Sequence, residues 1–363
     1  MLYWLFELRR SVYSGLNLFQ YITFRAAFAA ITAFLLGWVL GPVVIRRLRK
    51  MGIIERPEHP DAPALDKLVA DKKVPTMGGI LIVLAIIVST VLWAKPTRFV
   101  YLGVLTVAWL GAVGLVDDYI KLRSARHGIS VSLKFTLQTV LAVVLAVTLY
   151  LLMKDLRWGM QLSIPFVSDT DIPLPMLVFM VMTVVVIVGS SNAVNLTDGM
   201  DGLAIGCVIL ASMAFAVVSY VTGHVRFAAY LRIPYIPGAG ELSVFCASIA
   251  GAGLAFLWYN CHPAEVFMGD TGSLALGGAL GYVAVVTRSE LSLFIIGGIF
   301  VAEALSVIIQ VVYYKRTRKR FFLMAPFHLH FRLKGMAETK VVVRFLIVAA
   351  VLTAFAVATL KIR

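Results

Sequence analysis

Ten runs of mostly apolar residues, each near the length a helix needs to cross a bilayer, divide the 363-residue chain: 22–45, 76–94, 99–117, 133–153, 174–192, 199–221, 241–259, 271–287, 291–313 and 341–360. A spanning helix takes about 20 such residues. In lipid the backbone must satisfy its own hydrogen bonds, which leaves helices or closed barrels, and runs of this length select helices. The pattern predicts an all-α integral membrane protein, a single polytopic domain over 1–363 with about ten transmembrane helices. Composition agrees, because only 14% of the residues are charged against about 25% in a soluble domain. The opening MLYWLFELRRS reads as an interfacial lead-in to the first span, since its charge follows its first apolar residues and no cleavage motif closes a long apolar core. Cys207, Cys246 and Cys261 imply no disulfide framework.

Charge sets the sides. Of 33 Lys and Arg residues, 21 lie in or beside 46–73, 121–134 and 315–344. The positive-inside rule then makes the odd-numbered connections cytoplasmic, at about 46–75, 118–132, 193–198, 260–270 and 314–340. Both termini fall outside, on the periplasmic side. The net charge of +14 is scattered over short loops, so it meets the lipid bilayer's anionic heads and forms no nucleic-acid patch. Two cytoplasmic loops, 193–198 and 260–270, carry no Lys or Arg and hold carboxylates instead, with Gly199 and Gly269 at their ends. A loop exempt from the rule has a local task.

Five aspartates gather on that face. Asp117 and Asp118 end the third span, Asp198 and Asp201 lie in NLTDGMDGLA, and Asp270 lies in FMGDTGS. Alone, Asp198 or Asp270 reads equally well as a helix N-cap. Five together near hydrocarbon mark function, because charge there is costly. Asn195, Asp198 and Asp201 are three apart and would share one face of a helix. The helix after GDTGS offers free N–H groups and a positive dipole end, an anion site. A carboxylate beside it suits a Mg²⁺-bridged phosphate. No Cys/His set has zinc spacing, and Cys261-His262 stands alone and reads as structural. In MAPFHLHFRLKG, His328 and His330 would face one side of an extended chain. Lys72, Lys73, Lys134 and Thr76 are candidate phosphate contacts, with a solvated loop as the plainer reading of the lysines. Glu303, Ser306 and Gln310 form one stripe on the ninth span.

PTMGG, GLVDDYIK, NAVNLTDGMDGLA, FMGDTGSLALGGALG and MAPFHLHFRLKG, in that order across 74–344, resemble the signature segments of the phospho-N-acetylmuramoyl-pentapeptide transferase family. That family lies within the polyprenyl-phosphate N-acetylhexosamine-1-phosphate transferases. The resemblance implies an enzyme of the bacterial inner membrane. It would move phospho-MurNAc-pentapeptide from UDP-MurNAc-pentapeptide to undecaprenyl phosphate, giving lipid I and UMP with Mg²⁺ as cofactor; a homodimer is a family expectation. It implies Asp270 as the Mg²⁺ ligand, Asp117 and Asp118 as a catalytic pair near metal and acceptor, and His328 as a catalytic charge-balancing residue. It implies substrate contacts at Thr76, Lys134, Asn195, Asp198, Asp201, Asn260, Gln310 and His330, with Phe267 stacking on uracil. Leu329 stands where the family shows a middle histidine. Arg332 stands where it shows a glutamate, and Met336-Ala337 where it shows Trp-Pro. The alternatives are a UDP-GlcNAc-dependent transferase of the same superfamily and, from another class, an ion-coupled transporter.

Overall fold

The computed structural model describes residues 2–4, 14–53, 74–123, 128–165 and 172–361. Each of the ten apolar runs falls on helix. In chain order the helices are α1 Ile22–Lys50, α2 Gly79–Trp93, α3 Arg98–Arg123, α4 Val131–Met153, α5 Met176–Thr197, α6 Leu203–Thr222, the short α7 Val225–Leu231, α8 Leu242–Asn260, α9 Gly269–Val286, the short α10 Glu290–Ile296, α11 Gly298–Thr317, the short α12 Phe327–Leu333 and α13 Glu338–Ala358. A two-stranded antiparallel ribbon, β1 Gln161–Leu162 and β2 Ile172–Pro173, joins α4 to α5. Eight helices among the described residues are long and apolar enough to cross a membrane. The two runs outside that set are α2, with 15 residues, and α9, which opens on Asp270 and is rich in glycine.

α9 is the hub. Every residue from Asp270 to Val286 is buried, and α2, α3, α5 and α6 pack around it. A helix apolar all round belongs in a core. It is also made of small residues, which lets neighbouring backbones close in. A Cβ built on Gly114 of α3 would stand 2.2 Å from the carbonyl oxygen of Asp270, so glycine is what allows α3 to touch the start of α9. The outer helices α1, α4, α11 and α13 keep large apolar side chains exposed, among them Val39, Leu151, Ile308 and Val351, as a lipid-facing surface requires.

Several boundaries differ from the sequence expectation. The run 291–313 is not one helix, because the chain breaks at Gly297, between α10 and α11. Consecutive glycines weaken a helix by about 1 kcal/mol each relative to alanine. The expected loop 193–198 is helical as far as Thr197, so the turn is 198–202. Asn195, Asp198 and Asp201 therefore do not share a helix face: Asp198 caps the C-terminus of α5 and Asp201 sits in the turn beyond. Asp118, expected in a loop, lies inside α3. The segment around His328 and His330 is helix α12 rather than extended chain. Two residues apart on a helix, the histidines point to different sides.

Gly114→Ala is expected to lower stability by roughly 1–3 kcal/mol through overpacking, seen as a lower melting temperature in detergent. Gly189→Ala, where an added Cβ meets nothing within 4 Å, is the control and should hold or slightly raise it.

Candidate active site

Consecutive residues on a helix leave it about 100° apart, and this separates the two aspartates of α3. Asp118 turns to the start of α9. Its Oδ1 accepts from the Asp270 N–H at 3.0 Å, and its Oδ2 accepts from the Thr271 N–H at 3.0 Å and the Thr271 hydroxyl at 2.7 Å. The helix N-terminus expected to take a phosphate is thus filled by a carboxylate of the chain itself. Free N–H groups at a helix start attract either anion for the same reason.

Asp117 turns the other way. Its Oδ1 accepts from the Ile129 N–H at 2.7 Å, and its Oδ2 lies 3.0 Å from Lys121 Nζ and 3.3 Å from Lys134 Nζ. The same two ammonium groups donate to Asp270 Oδ2 at 2.7 and 2.6 Å. Asn195 Nδ2 completes the set, donating to Asp270 Oδ1 at 2.5 Å and to Ser273 Oγ at 2.8 Å. Helices α3, α4, α5 and α9 all contribute, α3 with both Asp117 and Lys121. The carboxylates are buried, with Asp117 2% and Asp270 8% exposed, so their attraction for the lysines is weakly screened. Lys121 escaped the sequence reading. The signal was there, because Asp117 and Lys121 stand at i, i+4 on one helix.

Asp117 Oδ2 and Asp270 Oδ2 aim at the same two cations. They offer hard oxygens converging on a place built for positive charge, with a phosphate-binding group, lysine, beside them. That donor set fits Mg²⁺, which prefers one or two carboxylates together with phosphate oxygens and water.

The other candidates form the surroundings. Thr76 is buried, and its segment pairs with the start of α9: Phe267 N–H donates to Pro75 O at 2.8 Å, and Gly78 and Gly79 N–H donate to Phe267 and Met268 O at 2.9 Å. This holds the Phe267 backbone while its ring stays partly exposed. Asn260 accepts from the Gly202 N–H at 3.0 Å and donates to Val266 O at 2.8 Å, so it ties the 198–202 turn to the chain entering α9. Gln310 Oε1 accepts from the Phe321 and Phe322 N–H groups at 3.1 and 2.9 Å and folds the basic turn back on α11. Lys72 and Lys73 lie outside the described residues.

The two histidines part company. His328 is buried, its backbone N–H donates to Glu303 Oε1 at 3.2 Å, and its ring Nδ1 lies 3.2 Å from Glu303 Oε2. Glu303, fully buried on α11, gains its partner here. His330 Nδ1 accepts from the Leu323 N–H at 3.2 Å, and its ring stacks on Phe327. Burial, with Lys334 nearby, pulls the His330 pKa below that of an ordinary histidine. Among the described residues, no hydrogen bond of either histidine runs to Asp117, Asp118 or Asp270. These positions come from packing of α12 against α11, which spacing alone could not give.

Residues 100–288 match the model of glycosyl transferase family 4. Over the full length of both chains, 46% of residues are identical to the phospho-N-acetylmuramoyl-pentapeptide-transferases of Koribacter versatilis, Syntrophus aciditrophicus and Desulfotalea psychrophila. The chain belongs to the phospho-N-acetylmuramoyl-pentapeptide-transferase family. It is an enzyme, a transferase, and its apolar helices make it a membrane protein. In this transferase the matched region runs from the start of α3 to just beyond α9, and so includes all the members of the lysine–carboxylate cluster.

Asp118→Ala is expected to cost about 1–3 kcal/mol of stability by orphaning buried N–H groups, read as a drop in melting temperature. Asp117→Ala keeps the start of α9 capped and should lower stability less than Asp118→Ala, measured side by side.

Proposed function

We propose that this transferase moves phospho-MurNAc-pentapeptide from UDP-MurNAc-pentapeptide to undecaprenyl phosphate, yielding lipid I and UMP, in bacterial peptidoglycan synthesis. The observation that carries the reading is the meeting of Asp117, Lys121, Lys134 and Asp270 at one point. The reaction joins two anions, so catalysis rests on positioning and charge neutralisation. A phosphomonoester is mostly dianionic at neutral pH and needs no strong base. A phosphate oxygen of the lipid attacks the β-phosphorus of the donor in line. The bond from that phosphorus to the bridging oxygen breaks, and UMP leaves with the electron pair. Lys121 and Lys134 release their carboxylates in part and bind phosphate oxygens. Asp117 orients the lipid phosphate, and Asn195 holds Asp270. Asp270 and Asp117 are the residues that would hold Mg²⁺, which when bound supplies charge to offset that developing on the leaving UMP.

An apolar recess of about 230 Å³ between α5, α9, α10 and α11, lined by residues such as Val185, Val194, Leu280 and Phe300, supports a lipid acceptor. Val194 adjoins Asn195, so the recess and the charged cluster share the end of α5. The reading has all of 1–363 in one membrane domain, ten crossings, both termini periplasmic and the cluster on the cytoplasmic face of the inner membrane. The basic connections support that orientation.

The test uses purified protein in detergent with undecaprenyl phosphate, Mg²⁺ and either UDP-MurNAc-pentapeptide or UDP-GlcNAc, following UMP and lipid-linked product. Product is expected from the muropeptide donor alone, and Asp270→Asn or Lys121→Met should lower kcat by about 10²–10³. Chelation should abolish turnover and added Mg²⁺ restore it. Product from UDP-GlcNAc alone would move the chain to the rival branch. No product from either donor, with well-folded protein, would overturn this substrate assignment.

A further inference from the structure

A polar pair lies one helical turn away from the lysine–carboxylate cluster. Gln138 of α4 is 1% exposed, and its Oε1 accepts from Asn192 Nδ2 of α5 at 2.6 Å. Each member shares a helix face with a residue of the cluster. Gln138 follows Lys134 by four residues, and Asn192 precedes Asn195 by three. Lys134 and Asn195 in turn hold the two oxygens of one carboxylate, Asp270 Oδ2 and Oδ1. The helices α4 and α5 thus meet at two successive levels, first through an amide pair and then through Asp270.

The two helices are anchored differently. α5 is tied to α9 by Ser191 Oγ, which donates to Leu274 O at 3.0 Å, and by Asn195 Nδ2, which donates to Ser273 Oγ at 2.8 Å. α4 is an outer helix that leaves Val140, Val143, Val144 and Leu151 exposed. Trp109 Nε1 of α3 donates to the Leu137 carbonyl at 3.2 Å, and the buried face of α4 is otherwise apolar, with Leu141, Leu145 and Leu149. No hydrophobic force drives helices together in lipid, so a hydrogen bond between them carries weight in fixing register. Gln138 is a poor choice for stability alone. Its Nε2 is buried without a partner, and an unpaired buried donor is costly. Asn192 Nδ2, by contrast, also donates to Val188 O at 2.8 Å.

We propose that Gln138 is a positioning residue for the transfer: through Asn192 it sets the register of α4 on α5, and so places the Lys134 ammonium against Asp270 and Asp117. The inference rests on the mechanism above, in which Lys134 binds phosphate oxygens. A lysine has a flexible stem and a point charge, so its ammonium goes where the start of α4 carries it. A misplacement of about 1 Å at such a group can cost about a hundredfold in rate. Gln138 acts only through Lys134 and touches no reacting atom.

The experiment compares full-length Gln138→Met with the wild type in detergent. Methionine keeps the length and removes both polar atoms, the unpaired donor included, while Asn192 keeps its bond to Val188. The melting temperature is expected to hold, and kcat to fall about tenfold or more with KM changed less. On a Lys134→Met background the same substitution should add little, because both act at one group. A second readout needs no turnover. Trace acetic anhydride, with the acetylated sites located by mass spectrometry, should label Lys134 several-fold faster in Gln138→Met than in the wild type, with Lys154 at the far end of α4 unchanged. The proposal is overturned by an unchanged Lys134 labelling rate, by an unchanged kcat in the folded variant, or by full additivity with Lys134→Met. Wild-type protein that makes no product would sink the transferase reading, and the labelling comparison would still decide whether Gln138 places Lys134.

Discussion

The start of α9 is the constraint on which the rest depends. A helix placed inside a membrane protein brings unpaired N–H groups to its first turn, and without water they need an acceptor. Asp118 supplies it from α3 with both carboxylate oxygens. This one contact fixes the height and rotation of α3 against α9. The rotation of one residue step then delivers Asp117 to the lysines. The adjacent aspartates therefore meet different partners, Asp118 the start of α9 and Asp117 the two lysines.

Polar groups elsewhere follow the same economy. The guanidinium of Arg25 on α1 meets the carboxylate of Glu241 just before α8, both nearly inaccessible. Arg288 and Glu290 pair at the turn between α9 and α10, where burial pulls the Arg288 pKa down from its usual value. Breaking such a pair leaves an uncompensated buried charge, which costs more than the pair contributes. Glu303 is the third case, and its partner His328 arrives from a different segment. In each, the charge that cannot stay alone decides which helices meet.

Much of this was legible from the sequence. Run length named the class and located all ten helical regions, because lipid leaves the backbone few choices. The aspartates were legible through their cost. What failed was local geometry. The expected shared face of Asn195, Asp198 and Asp201 assumed a helix that ends at Thr197. The expected common side for His328 and His330 assumed extended chain where α12 forms. At the helix start after GDTGS, the Asp270 and Thr271 N–H groups donate to the Asp118 carboxylate, a partner from another helix that spacing along the chain could not name. His262 looked solitary because its partners, Asp201 and Glu338, are 61 and 76 positions away, and proximity of that kind is made by packing.

The contact between α3 and α9 also bears on motion. Three hydrogen bonds accepted by one carboxylate, with a glycine allowing backbone contact beside them, hold the two helices in register. A shift of one helical turn, about 5.4 Å, would break all three at once. α2 is bound to the same block through Gly78 and Gly79. Helices α2, α3 and α9 are thus tied into one block by backbone and carboxylate contacts. α11 stands apart from this block: it begins at the Gly297 break, buries few of its residues and is held through Glu303 to His328 of α12 rather than to α9.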